Sequence, residues 1–209
     1  KYVGGKHRFA KKLAPLMYEP SRPWVEPFCG SATMLRYIPT NATRVLNDLH
    51  PALIALLQAI QAGWLPPDTI TEEQYRAVQK APQDYDPALV GFVGFACSFA
   101  AKWFGGYARG SGRNYAAEGR RSLEKLFPFL QGATIHCGDY RVLQLPPGST
   151  IYCDPPYAFT EQYASGPFDS TELWSWCKHR AAEGHRVFVS EFSVPSDVRI
   201  LWTLTRATS

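Results

Sequence analysis

The 209-residue chain has little that would fit it for a membrane, for export or for a metal. No stretch approaches the ~18 consecutive apolar residues that a membrane-spanning helix needs, and no apolar signal segment stands near the start. The five cysteines, Cys29, Cys97, Cys137, Cys153 and Cys177, are odd in number and include no Cys-x-x-Cys pair. That argues against a disulfide framework or a zinc ribbon, so they are expected as reduced core residues of a cytoplasmic protein. The five histidines are scattered, so no metal site is expected. Acid is locally scarce as well. Residues 1–12 hold Lys1, Lys6, Arg8, Lys11 and Lys12 with no carboxylate, and residues 102–125 hold six bases against Glu118 and Glu124, although the net charge is only +4. Two such segments suit a polyanion partner, while solvated helix faces remain an equal reading of each one alone.

What is present reads as one folded α/β domain with a modest insertion. A hydrophobic fraction of 45% with 19% charge excludes overall disorder. Gly4-Gly5 precedes an apolar 3.6-residue period from Lys6 to Met17. Trp24 to Phe28 reads as a buried strand, Gly30 to Ile38 as a turn and apolar helix, Thr43 to Asn47 as a strand, and Pro51 to about Ala62 as a long helix. This alternation predicts a doubly wound sheet. It lapses between Gly63 and Leu130 and resumes with strands at 133–137, 150–153 and 186–190. Asp169-x-x-Glu172 predicts a capping box opening the helix around 173–182. The expected organisation is therefore a domain of residues 1–62 and 131–209 with an inserted segment, 63–130. The chain opens at Lys1 and stops at Ser209 without a closing element, so residues are expected beyond both ends.

The most specific chemistry lies in Asp154-Pro155-Pro156-Tyr157, directly after the apolar run Ile151-Tyr152-Cys153. Open α/β sheets bind ligands at the carboxyl ends of their strands. Methylating an exocyclic amine requires an acceptor that holds the NH2 and keeps its lone pair directed at the methyl group. The Asp154 carboxylate and the Pro155 carbonyl supply acceptors in a stiff turn, and Tyr157 supplies a flat face for an extruded base. Glu26-Pro27-Phe28-Cys29-Gly30-Ser31 sits on the first strand-to-helix turn, where Gly30 permits close backbone approach to a nucleoside cofactor. It contains no dinucleotide fingerprint. Asp48, ending the second strand, is placed to accept ribose hydroxyls or, equally, to cap the helix after His50-Pro51.

Together these motifs resemble the Dam-type (D12 class) DNA N6-adenine methyltransferases, and most closely their phage-encoded members, over nearly the whole chain. Tyr2-Val3-Gly4-Gly5-Lys6 is similar to the family's N-terminal cofactor motif, Glu26 to Gly30 to its glycine motif, Asn47-Asp48 to its ribose-binding acid, and Asp154 to Tyr157 to its catalytic motif. Gly94 to Arg109 and Val189 to Phe192 resemble segments of the phage subgroup. The resemblance implies a Rossmann-like class I S-adenosylmethionine-dependent methyltransferase fold with a small, mostly helical DNA-recognition insertion. It implies S-adenosylmethionine contacts from Tyr2, Lys6, Phe28, Gly30, Asp48, Tyr140 and Asp154, with Asp154, Pro155 and Tyr157 catalytic. Ala32 stands where many relatives have a second glycine, and an alanine there is expected only at negative φ.

Lys102 to Arg121 interleaves Trp103, Phe104, Tyr107 and Tyr115 with bases, so phosphates and the gap left by a flipped base are its expected ligands, against a basic loop over an aromatic minicore. Lys1, Lys102, Arg109, Arg113, Asn114 and Arg120 are the candidate contacts to double-stranded DNA. The expected activity is methyl transfer to adenine N6 in a bacterial cell or phage-infected host, in a protein favoured as a monomer. The competing readings are an N4-cytosine or other amino-group methyltransferase, and a catalytically silent DNA-binding decoy.

Overall fold

The computed structural model describes residues 9–156 and 168–203. The short apolar runs form strands β1 (Trp24–Glu26), β2 (Arg44–Asp48), β3 (Thr134–Cys137), β4 (Thr150–Cys153) and β5 (Arg186–Val189). Their order is β3-β2-β1-β4-β5, and each neighbouring pair is parallel. The strand order reverses between β1 and β4, the crevice at which such sheets take ligands. β1 and β4 are buried at every residue, as strands covered on both faces must be, whereas β3 and β5, at the edges, are partly exposed. The fold is Rossmann-like α/β.

Alternate residues of the central strands separate onto the two faces. Val25, Ile151 and Cys153 pack with Leu173 and Cys177 of α6 (Ser170–Ala182), while Trp24 and Tyr152 pack beneath Ala10, Leu13, Ala14 and Met17 of α1 (Ala10–Met17). A third cluster joins Leu46 of β2 to α2 (Pro51–Gln61), whose Leu53, Ile54, Leu56, Leu57 and Ile60 are all buried. Residues 63–130 close over that same cluster. They contribute α3 (Glu72–Lys80), α4 (Pro87–Gly91) running into a π turn at Phe92–Ala96, and α5 (Tyr115–Leu130). Tyr75, Val78, Phe92, Val93, Leu126 and Leu130 meet Cys29, Ala32 and Leu35 there, so the segment shares one core with the sheet domain.

Three expectations are corrected. The turn expected at Gly30 to Ala32 forms, but the helix expected from there through Ile38 is only one 3-10 turn, Met34–Tyr37, because Gly30 (φ 49°) and Ala32 (φ 50°) are left-handed and break an α-helix before it starts. Only half of the predicted capping box forms. Asp169 accepts from the Thr171 and Glu172 amides, but the Glu172 carboxylate is held by Arg141. Cys137 is exposed because β3 is an edge strand, while the other four thiols are buried; all five are free. Among the described residues no helix is long and apolar enough to cross a membrane, and no cluster of metal ligands occurs.

Arg44 shows how residues 63–130 are fastened to the sheet. It is 1% exposed, and its guanidinium donates to the carbonyls of Thr40 and Ala42 before β2 and of Phe129 and Gln131 at the end of α5, at 2.6–3.1 Å. Replacing it leaves buried carbonyls without a donor, at about 1–3 kcal/mol each. Arg44→Met is therefore expected to lower unfolding stability by roughly 3 kcal/mol or more in a urea melt. A loss below about 0.5 kcal/mol, the scale of an inconsequential surface change, would contradict this account of the clamp.

Candidate active site

The carboxyl ends of β1, β2 and β3 are stitched together by two adjacent side chains. Asn47 Nδ2 donates to the Pro27 carbonyl (3.0 Å) and the Gly138 carbonyl (2.8 Å). Asp48 accepts from the Gly30 amide through Oδ2 and from the His50 amide through Oδ1, both at 3.0 Å. Backbone bonds from Cys29 to the Asn47 carbonyl and from Gly138 to the Asp48 carbonyl complete the seam. Burial pushes the Asp48 carboxyl up from its ordinary pKa, opposed by these amide donors. The Leu49 amide adds a further donor to the same carboxylate. The helix cap itself is His50, whose Nδ1 accepts from the Leu53 amide.

Ala32 departs from expectation in a specific way. It is left-handed at φ 50°, not at negative φ, and the loop tolerates this because its amide closes a 2.8 Å bond to the Cys29 carbonyl and its methyl is fully buried against the Leu35–Leu46 core. Left-handed backbone costs a residue with a Cβ roughly 1–2 kcal/mol. Burying the methyl offsets part of that.

Phe28, on the same loop, meets Tyr140 with ring centroids 4.9 Å apart, which unites two of the predicted cofactor residues. Phe168 packs edge-on against Phe28 at 5.8 Å, and Trp176 against Tyr140 at 5.3 Å. Neither Phe168 nor Trp176 was predicted, since each is an ordinary aromatic in the sequence. Burial pushes the Tyr140 hydroxyl up to about 12, so it stays a neutral donor.

Asp154 and Pro155 follow β4 directly, at the reversal of strand order. The register Trp24↔Thr150 and Val25↔Ile151 carries Glu26 to the level of Tyr152, one row before Asp154 on the same face. Glu26 is 2% exposed, and its Oε1 accepts from Trp24 Nε1 at 2.8 Å. Burial pushes its pKa up to about 8 against the pull of the Trp24 bond, and the charge of Asp154 adds a smaller upward push. A carboxyl group that burial inclines to hold its proton thus lies near Asp154. An acid two residues after a tryptophan inside an apolar strand was the available signal for it. Tyr2, Lys6 and Tyr157 lie outside the described residues.

Residues 2–87 match the family model of D12 class N6 adenine-specific DNA methyltransferases. The match covers the amino-terminal two fifths of the chain, through β1, β2 and α2. The chain is also similar to two proteins named DNA adenine methylase from Vibrio cholerae serotype O1, strains Ogawa 395 and El Tor Inaba N16961. Each is 27% identical over 187 residues, covering 76% of this chain and 64% of the relative. The chain thus spans a little under two thirds of their length.

The segment after α4 comes over the same end of the sheet. The Trp103 ring lies 4.2 Å from that of His50 and 4.8 Å from that of Phe95, and Gly94 is required beneath it, since a Cβ there would collide with the indole. The loop 98–107 is closed by a bridge between Ser98 and Tyr107, by the Phe99 amide on the Gly106 carbonyl (2.8 Å), and by Tyr75, whose hydroxyl meets Ser98 Oγ at 2.8 Å. Ala100 (φ 54°), Ala101 (φ 56°) and Phe104 (φ 44°) are left-handed without being glycine, and Phe99 is 67% exposed at the tip. Backbone strain of this kind persists only where surrounding structure enforces it, often at functional sites. Phe99 was overlooked in the sequence because nothing there distinguishes it from Phe95 or Phe104.

Of the predicted DNA contacts, Lys1 lies outside the described residues, and Lys102 is exposed on this loop. Arg109 is paired with Glu72, Arg113 with Glu118 and Arg120 with Glu124. Asn114 caps α5 by accepting from the Ala117 amide and donates to the Asp68 carbonyl. Arg113, Asn114, Tyr107 and Tyr115 line a cleft of about 210 Å³. A larger hollow of about 390 Å³, lined by Arg141, Arg180 and His185 among others, lies by the amino ends of β4 and β5, away from Asp154.

The buried Glu26 makes stability depend on pH in a definite direction. Its pKa is 4.5 as an ordinary side chain and about 8 in the fold, so between these values the folded protein holds a proton that the unfolded chain has released. Stability contributed by this group is intact below the lower value and is lost as pH rises through the window. The thermal midpoint of the protein is expected to fall relative to that of Glu26→Gln as pH is raised from about 4.5 to about 8. A gap between the two proteins that does not change with pH would show that Glu26 is charged throughout.

Proposed function

We propose that the protein transfers a methyl group from S-adenosylmethionine to N6 of an adenine swung out of double-stranded DNA. The observation that carries this reading is Asp154-Pro155 at the reversal point of the parallel sheet, in a chain whose residues 2–87 match the D12 class model. The relatives' name, DNA adenine methylase, supports the same substrate.

The chain's residues fit the cofactor. Asp48 offers acceptors for ribose hydroxyls, Gly30 allows close approach of the backbone, and Phe28 with Tyr140 forms an aromatic wall for the adenine ring. S-adenosylmethionine supplies an electrophilic methyl on a sulfonium sulfur. Asp154 accepts an N6 hydrogen bond and the Pro155 carbonyl accepts the other, which fixes the amine and turns its lone pair out of the ring. Tyr157 stacks on the base. On taking the methyl group, N6 would shed one proton along its hydrogen bond to Asp154. Adenine N6 is a weak nucleophile, so alignment and lone-pair polarisation supply most of the acceleration. Glu26, held neutral, leaves the pair with a single negative charge on Asp154, where the amine needs it.

Residues 63–130 serve as the target-recognition insertion. Lys102, Arg109, Arg113 and Arg120 take phosphates, Asn114 sits among them, and Phe99 and Trp103 supply aromatic surface toward the duplex.

Asp154→Ala is expected to reduce methyl transfer by about 10²–10³-fold or more while leaving the thermal midpoint near that of the wild type. Nucleoside digestion of the treated duplex should yield N6-methyladenine. Turnover retained by the variant, or N4-methylcytosine as the product, would overturn the assignment.

A further inference from the structure

The basic insertion arrives partly neutralised by an acid that does not belong to its basic run. Glu72, the first residue of α3, holds two guanidiniums at once. Arg76 donates to Oε1 from Nη2 (2.7 Å) and Nε (3.1 Å), and Arg109 donates from Nη2 to both oxygens at 2.6 Å and from Nε to Oε2 at 3.2 Å. The Arg109 contact spans 37 residues of chain, unlike the local pairs Arg113–Glu118 and Arg120–Glu124, which any solvated helix start or helix face can make. These two arginines hold the Glu72 carboxyl down at about 2, so it remains charged at any working pH.

Both arginines remain open to solvent, Arg76 at 70% and Arg109 at 69% side-chain exposure. Exposed pairs of this type are weak and exchange readily for ions in solution. A phosphate diester presents the same two-oxygen face to a guanidinium as a carboxylate does. Arg109 also leaves the loop whose tip carries Phe99, since the Ala108 amide bonds the Cys97 carbonyl at the loop's base.

Resting on the reading that the chain binds duplex DNA, we propose that Glu72 is an internal competitor for phosphate. It occupies Arg76 and Arg109 in the free protein, yields them to the DNA backbone, and so weakens binding to duplex that lacks the target. Contacts to phosphate position a protein without reading sequence. Breaking the Glu72 pairs costs target and non-target duplex the same free energy, and only the target has base contacts to make it good. The acid thereby keeps non-target duplex weakly held without touching a base.

The test measures binding of the whole chain to a short duplex of random sequence, with Glu73→Gln as the matched control. Glu73 occupies the same first turn of α3, so its neutralisation removes the same charge without releasing either arginine. Glu72→Gln is expected to bind about three- to tenfold more tightly than both the wild type and Glu73→Gln at low salt, with the gap closing as salt rises. Adding Arg76→Gln and Arg109→Gln should cancel the gain. Equal binding by the two glutamine variants, weaker binding by Glu72→Gln, or a gain that survives loss of both arginines overturns the proposal. Absence of duplex binding in every protein overturns the DNA reading along with it, so the two failures are told apart by whether the wild type binds.

Discussion

The site depends on the pair Asn47-Asp48 at the end of β2. One amide and one carboxylate there bond the loop after β1, the turn after β3 and the start of α2. In a doubly wound sheet the chemistry is distributed over loops that belong to different strands, and each loop alone is free to drift. Tying three of them to one strand end turns separate loops into a single rim. Gly30, Tyr140 and the His50 to Trp103 contact all inherit their positions from this seam. Asp48 accepts from amides on both sides of the rim, so one carboxylate ties the loop after β1 to the start of α2.

Much of this was legible from local pattern. Strands announced themselves as short apolar runs, Pro51 and Asp169 marked helix starts, and the Asp154 motif stood directly after a strand, where position and chemistry agree. What was not legible depends on contacts between distant parts of the chain. The acid that meets Arg109 is 37 residues away, so the run from Lys102 to Arg121 looked more basic than the folded surface is. Glu26 appeared only as the first letter of a glycine motif, because its neutrality comes from burial and from Asp154, neither of which has a local signature. The helix expected after Gly30 failed for a different reason. Its composition is apolar enough, but two left-handed residues, one of them an alanine, override propensity where the buried methyl of Ala32 and the Asp48 bond enforce the turn. Tyr2 and Lys6 rest on the family resemblance alone, and Tyr157 on that resemblance and on the chemistry of its motif.

The loop over the rim adds a second kind of constraint. Three left-handed residues that are not glycine would unravel in an isolated peptide. Here Tyr75 and the Gly94 carbonyl pin the backbone on both sides, and Trp103 is seated on Gly94 against His50. The exposed Phe99 is therefore carried on a stiff support and pays little ordering entropy when it meets a partner.

Residues 63–130 interrupt the sheet domain in sequence but not in packing, since Cys29, Ala32 and Leu35 of the glycine loop lie in one core with Tyr75, Phe92 and Leu126. Exchanging this segment for another would cut through that core, and a chimera built at its sequence boundaries inherits mismatched side chains beneath the glycine turn. Changes in the segment should thus drift together with the residues under that turn, and unfolding of the two parts should be one cooperative event.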